Sequence, residues 1–198
     1  MQRLLFNTTM QNILFFGDSL TAGYGLKKVP EESMPGLIQQ KLDAKGIDAK
    51  AINAGVSGDT SAGGLARIDR YLQQTIDIFV LELGINDAIR GISPQVTLKN
   101  LQAIIDKVKT TFPQVKLCLL GMEIPVFLRG DFADEFKSIY TKLAEANQMA
   151  FLPFMLKDVA GKKHLNIFDR LHPNAEGYKV IADNVWPVLE SIVSSSES

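Results

Sequence analysis

Ser19 is the residue of this chain best placed to do chemistry. It follows four large apolar residues, Ile13-Leu14-Phe15-Phe16, and then Gly17 and Asp18. A short uncharged run bounded by turn chemistry reads as a fully buried strand of a parallel sheet. Ligands of such sheets lie outside the carboxyl ends of the strands, where Ser19 would sit. A serine hydroxyl is a weak nucleophile and needs a base within hydrogen-bonding reach. The chain offers two histidines. His164 follows Lys162-Lys163, a charged stretch expected in solvent. His172 stands in Asp169-Arg170-Leu171-His172-Pro173-Asn174. An acid three residues ahead can fold back so that its carboxylate meets Nδ1, fixes the tautomer and stabilises the imidazolium. Ser19, Asp169 and His172 are therefore candidates for nucleophile, orienting acid and base. Their order differs from those of the serine proteases, and no G-x-S-x-G elbow is present. Each half also has a plainer use: Asp-Ser after a strand makes a turn or cap, and His before Pro-Asn can start a helix.

Two further stretches fall at expected strand ends. Asn53-Ala54-Gly55-Val56-Ser57-Gly58-Asp59-Thr60 is a glycine-containing loop leading into a helix, whose free N–H groups could face a developing negative charge. Gly84-Ile85-Asn86-Asp87 follows the apolar run from Ile76 to Leu83. Asn86 offers a side-chain donor there, although asparagine in a turn also serves backbone conformation.

The elements that must hold these residues alternate. Ser33 can cap a helix with Pro35 in its first turn, with Met34, Leu37, Ile38 and Leu42 on one face and Gly46 closing it. Ile47 to Asn53 is a weaker strand ending in Ala54-Gly55. Asp59 or Thr60 caps a helix with Leu65, Ile68 and Leu72 inward, and Ile76 to Leu83 is a clear strand. Ser93-Pro94 opens a helix carrying Leu101, Ile104, Ile105, Val108 and Phe112, followed by a strand from Val115 to Leu120. Phe132, Phe136, Ile139, Tyr140 and Leu143 mark another helix, and Ala150 to Leu152 a short strand. The last helix holds Tyr178, Ile181, Ala182, Val185 and Leu189, with a kink or break expected at Pro187. This rhythm predicts right-handed βαβ crossovers and a three-layer α/β sandwich of about five mostly parallel strands, order 2-1-3-4-5. One domain over 1–198 is expected, with an N-terminal extension over 1–11 and a frayed polar tail over 194–198.

Composition narrows the function classes. The 198 residues suffice for one sizeable core. With 46% hydrophobic and 22% charged residues and a net charge of −1, usage is that of a soluble globular domain. No basic stripe is present, which argues against nucleic acid as a partner. The single cysteine, Cys118, lies in an apolar run and reads as a small buried hydrophobe. No segment is long enough to span a bilayer. Asn7, Thr8 and Thr9 interrupt the apolar patch Leu4-Leu5-Phe6, so no export signal is read. The expectation is a cytoplasmic protein, or a periplasmic one should a native N-terminus be missing. A monomer is the expected state.

Four loops at one sheet edge, bearing Ser, Gly, Asn and Asp-x-x-His, resemble the GDSL or SGNH hydrolases. The resemblance runs from Gly17–Leu20 to His172–Asn174. It is nearest the bacterial thioesterase–arylesterase–lysophospholipase branch in GDSLTAGYG, SGDTSAGGLARI, LELGINDAIRG, Ile124-Pro125 and Leu152–Phe154. It implies a flavodoxin-like SGNH fold, Ser19 as nucleophile, His172 as general base and acid, and Asp169 as its partner. It also implies an oxyanion hole from the backbone N–H groups of Ser19 and Gly58 and the Asn86 amide. Asp18 would be structural, accepting backbone hydrogen bonds around the serine turn. Ester and thioester hydrolysis through an acyl-enzyme, with no metal or organic cofactor, is the implied chemistry. The partner is then a small-molecule acyl ester or thioester.

The sequence departs from the branch pattern at three places. Ile85 replaces a glycine before Asn86, Arg170 replaces a glycine after the acid, and Phe127 stands where an asparagine is common. They bear on substrate preference. The loops after the third and fourth strands are unusually apolar for surface loops. Ile89, Ile124, Pro125 and Phe127 are accordingly the expected acyl-binding residues. A carbohydrate acetylesterase of the same family would keep the same four groups with a more polar pocket. A flavin-binding module is disfavoured by Asp18, which would repel phosphate. A non-catalytic binding protein is disfavoured by the presence of both Ser19 and His172.

Overall fold

The computed structural model describes residues 10–124 and 130–193. Its sheet is five-stranded and parallel throughout, in the expected order β2-β1-β3-β4-β5. The strands are β1 (Gln11–Gly17), β2 (Ala49–Gly55), β3 (Ile78–Glu82), β4 (Lys116–Leu120) and β5 (Ala150–Leu152). The helices are α1 (Ser19–Ala22), α2 (Val29–Glu32), α3 (Met34–Ala44), α4 (Ser61–Arg67), α5 (Ile85–Ile89), α6 (Pro94–Thr111), α7 (Asp131–Asn147) and α8 (Ala175–Val193). Residues 1–9 and 125–129 and the tail over 194–198 lie outside the described residues.

Burial explains which strands read most clearly. β1, β3 and β4 are the inner strands, and Ile13 to Phe16, Ile78 to Leu81 and Leu117 to Leu120 are buried. β2 is an edge strand with Lys50 and Asn53 exposed, so its apolar pattern is diluted. The chain moves from β1 to β2 in one direction and from β2 through β5 in the other. Right-handed crossovers then put α3 on one face and α4, α6 and α7 on the other. The packing agrees: α3 contacts α8, while α4 contacts α6 and α6 contacts α7. The reversal of strand order lies at the neighbouring carboxyl ends of β1 and β3, where open α/β sheets form their crevice.

Caps set the helix starts. Ser33, Thr60 and Ser93 each accept a backbone N–H of the first turn with the side chain. The helix after Thr60 is shorter than its apolar spacing suggests: α4 stops at Arg67 and a 3₁₀ turn over Ile68–Arg70 carries Ile68 into the core. Pro187 does not break α8. The hydrogen bond it cannot make falls at Asp183, and both residues are on the solvent side, where water can satisfy the carbonyl. Cys118 is fully buried, and burial pushes its thiol up to about 12. No helix among the described residues is long and apolar enough to cross a membrane.

Candidate active site

β1 delivers its last residue, Gly17, into a tight turn. Asp18 caps α1, its Oδ1 accepting the Leu20 N–H at 3.0 Å. Ser19 thus opens a helical turn, where the first N–H groups have no intrahelical acceptor. Its own N–H donates to nothing among the described residues. The Ser19 Oγ lies 2.9 Å from His172 Nε2, and His172 Nδ1 lies 2.7 Å from Asp169 Oδ2. A carboxylate oxygen only accepts, so Nδ1 carries the proton and Nε2 offers its lone pair to the serine hydroxyl.

The Asp169–His172 turn closes on itself. Asp169 Oδ1 accepts the N–H groups of Leu171 at 2.9 Å and His172 at 3.0 Å. Desolvation pushes the Asp169 carboxyl up, but these N–H groups and the imidazole outweigh it and hold its pKa lowered. The turn is pinned by the Ile167 N–H donating to His172 O at 2.9 Å. Tyr24, from the loop after α1, packs its ring 4.6 Å from the imidazole, centre to centre.

Two more loops complete the edge. Gly58 has φ +78°, a conformation L side chains rarely adopt, and its N–H has no acceptor among the described residues. Gly84 has φ +122°, and a Cβ there would stand 2.5 Å from the Tyr140 hydroxyl. Gly84 takes the positive φ, so Ile85 simply begins α5. The departure at Ile85 therefore places no residue other than glycine at positive φ in the Asn86 loop. Asn86 Nδ2 donates to Asp18 Oδ2 at 2.9 Å and to the Asp59 carbonyl at 3.0 Å. Those acceptors are the chain neighbours of Ser19 and Gly58, so one amide lies between the two unpaired N–H groups.

The profile of the GDSL-like Lipase/Acylhydrolase family matches residues 15–180. The chain belongs to this family. It is 38% identical to the arylesterase of Vibrio mimicus, over 88% of this chain and 86% of that one. It is 34% identical to the thioesterase 1/protease 1/lysophospholipase L1 of Escherichia coli K12, over 92% and 85%. Its fold superposes on the psychrotrophic esterase EstA of Pseudoalteromonas sp., in a structure inhibited by monoethylphosphonate, with TM-score 0.85. That match has 33% identity and covers 93% of this chain and 99% of EstA. This GDSL hydrolase is an enzyme of ester bonds.

The GDSL hydrolase braces its site with residues that sequence reasoning missed. Arg67 Nε donates to Asp59 at 2.6 Å, and its other nitrogens donate to Ala54 O at 2.9 Å and Gly17 O at 2.8 Å. Its guanidinium stacks 3.8 Å from the Phe16 ring centre. One side chain therefore ties the ends of β1 and β2 to the Gly58 loop. Asp87 is fully buried and accepts the Ser61 N–H at 2.8 Å and the Ser61 hydroxyl, joining α5 to the start of α4. Arg90 donates to Gly58 O at 2.8 Å. The motifs that carry the family resemblance contain all three, but no spacing revealed their contacts.

The expected acyl-binding residues divide. Ile89 is 55% exposed at the end of α5. Ile124 is half-buried against the core. Pro125 and Phe127 lie outside the described residues. Tyr24, Val56, Phe168 and Leu171 are also exposed on loops at this sheet edge. Among the described residues no cluster of His, Cys, Asp and Glu converges as a metal-ligand set would.

Proposed function

We propose that this enzyme hydrolyses carboxylic esters and thioesters of acyl chains through an acyl-enzyme on Ser19. The observation that carries the reading is the unbroken relay Asp169–His172–Ser19, at 2.7 and 2.9 Å, beside two unpaired N–H groups. His172 Nε2 takes the hydroxyl proton as Oγ attacks the acyl carbon. The oxyanion then forms against the N–H groups of Ser19 and Gly58 and the Asn86 amide. Collapse breaks the bond to the alcohol or thiol, which leaves with the proton held by His172. Water repeats the sequence, giving up its proton to His172 and releasing the acid.

Aryl esters, thioesters such as acyl-CoA, and lysophospholipids are the proposed substrates, in line with the arylesterase, thioesterase and lysophospholipase activities that the relatives' names carry. Apolar side chains at the mouth favour an acyl chain over a sugar. Ile89 and Ile124 would line its path. A panel of p-nitrophenyl esters and acyl-CoA thioesters of graded length, run beside acetylated sugars, tests this. Each buried methylene contributes about 0.8 kcal/mol, so kcat/KM should rise up to about fourfold per carbon over the shorter chains. An enzyme fastest on acetylated sugars, with no gain from longer acyl chains, would be a carbohydrate esterase instead.

A further inference from the structure

We propose that Glu82 is a positioning residue of the hydrolytic site: a neutral carboxylic acid beneath Ser19 that ties Asp18 and Thr21 into the turn presenting the nucleophile. The inference deepens the reading above and rests on Ser19 being that nucleophile. Glu82 ends β3, directly beside Gly17 in the parallel register with β1, and is fully buried. Its Oε2 accepts the Asp18 N–H at 3.2 Å and the Thr21 hydroxyl at 2.7 Å. Those two residues flank Ser19 and Leu20, so Glu82 holds the serine turn at both ends. Gly17 makes room for it. A Cβ at Gly17 would lie 2.1 Å from Thr21 Oγ1 and 2.4 Å from Glu82 Oε2. The glycine that opens the Gly-Asp-Ser-Leu motif thus admits the Thr21 hydroxyl, the Glu82 carboxyl and, at 2.6 Å from that Cβ, the Glu82 backbone carbonyl.

The contacts of the two carboxyl oxygens differ, and the asymmetry burdens a neutral acid less than a carboxylate. Oε2 takes two donors, as a carbonyl oxygen can, while Oε1 is buried with no hydrogen-bond partner among the described residues. No ion pair reaches Glu82 among the described residues. A carboxylate there would bury a charge with one oxygen bare, at a cost that protonation avoids. Asp18, also fully buried, faces it from the turn. Thr21 faces it from α1, and Tyr140 of α7 and Tyr178 of α8 lie within its electrostatic reach. The tyrosine hydroxyls donate elsewhere, to Leu83 O at 3.0 Å and Ser19 O at 3.4 Å. His172, Asp59 and Asp87 stand one step further, around Asp18 and Tyr140. Burial first, and Asp18 second, push the Glu82 carboxyl well above its ordinary range.

A neutral Glu82 leaves one anion, Asp18, behind the nucleophile, where it holds the Asn86 amide. An ionised Glu82 would add a second, repelling Asp18 and opposing the forming oxyanion. Activity should therefore fall at alkaline pH while the fold persists. Glu82→Gln keeps the two acceptor contacts and cannot ionise. Its kcat should stay within about threefold of wild type at neutral pH, and the alkaline fall should disappear. Glu82→Ala should lose on the order of 10–100-fold in kcat with KM little changed, as a misplaced nucleophile does. Rates are referred to sites titrated with a fluorophosphonate, and circular dichroism follows the fold at each pH. A Gln variant as impaired as Ala overturns the proposal. So does an Ala variant with wild-type kcat, a wild-type kcat flat into the alkaline range, or an alkaline fall that survives in Glu82→Gln. Should Glu82→Ala not fold, the Gln profile decides alone. Ser19→Ala serves as the control: if it keeps turnover, the nucleophile reading fails, separately from the role of Glu82.

Discussion

Asn86 uses both amide hydrogens at rest, one on Asp18 and one on the Asp59 carbonyl. To hold an oxyanion it must share or release one. The Asp59 carbonyl, on the loop that also carries Gly58, is the acceptor that substrate would displace. Asn86→Ala should lower kcat by ~10²–10³, about 3–4 kcal/mol, with KM nearly unchanged. A rise in KM at constant kcat would make Asn86 a ground-state binder. Arg170 carries a different cost. Its φ of +60° lies in the left-handed region, at the place where the resemblance expects glycine. Holding an L residue there costs ~1–2 kcal/mol, partly offset by the greater unfolded-state freedom of glycine. Arg170→Gly should stabilise the protein by up to about 1 kcal/mol, visible as a rise in Tm; a lower Tm would show that the arginine side chain contributes more than its backbone costs. Asp169 and His172 were legible because their contact spans three residues, and Ser19 because a buried strand points to it. Glu82, Arg67 and Tyr24 were not, because each meets its partners through tertiary contact that no local spacing encodes.

Among elements, the loops after β1, β2 and β3 act as one structure. Arg67 joins the first two from α4, and Asn86, Asp87 and Arg90 tie the third to them. The Arg67 partner Asp59 is only 10% exposed on its side chain. Arg67→Met would remove the three donors and leave Asp59 shielded from water without its cation. Breaking such a pair costs about 3–5 kcal/mol when one charge stays buried. The midpoint of urea unfolding should drop accordingly. kcat should fall with it, because the Gly58 N–H loses its brace. Unchanged kcat in the folded variant would mean that Arg90 and Asp87 hold the loop without it. The long helices were readable from period and cap, as in α6, where Leu101, Ile104, Ile105 and Val108 are all fully buried. The four- and five-residue helices α1, α2 and α5 were not, since one turn leaves no period to detect. α1 begins at Ser19 and α5 contains Asn86, because a sharp strand-to-helix turn is what exposes a side chain and N–H groups together.

For the whole molecule, the parallel sheet places its polar groups where they burden stability. Burial raises the Asp18 carboxyl from 3.8 to about 6, against the opposing pull of the Leu20 N–H, His172 and Asn86. An acid whose folded pKa is raised stabilises the fold fully below its unfolded value, and that contribution is lost as pH rises through the folded one. At ~1.4 kcal/mol per pKa unit, wild type should lose on the order of 3 kcal/mol relative to Asp18→Asn between pH 4 and pH 7. Urea unfolding at several pH values measures the difference; parallel curves would show that Asp18 does not titrate in that window. Asp169 works with the opposite sign, its lowered pKa giving stability that is lost as pH falls through it. Glu82 carries the sign of Asp18 to higher pH. The fold class and strand order were legible from the alternation of apolar runs and helical periods, whereas this buried acidic pair was not, because depth is a property of the packed sheet.

The most direct measurement of the central claim is the mass of the enzyme after reaction with a fluorophosphonate, followed by mapping of the labelled peptide. The account predicts one phosphonyl group, on Ser19, in the wild type, and none in Ser19→Ala or His172→Ala over the same interval. A label on Ser57 or Ser61, or labelling that persists in Ser19→Ala, would contradict it.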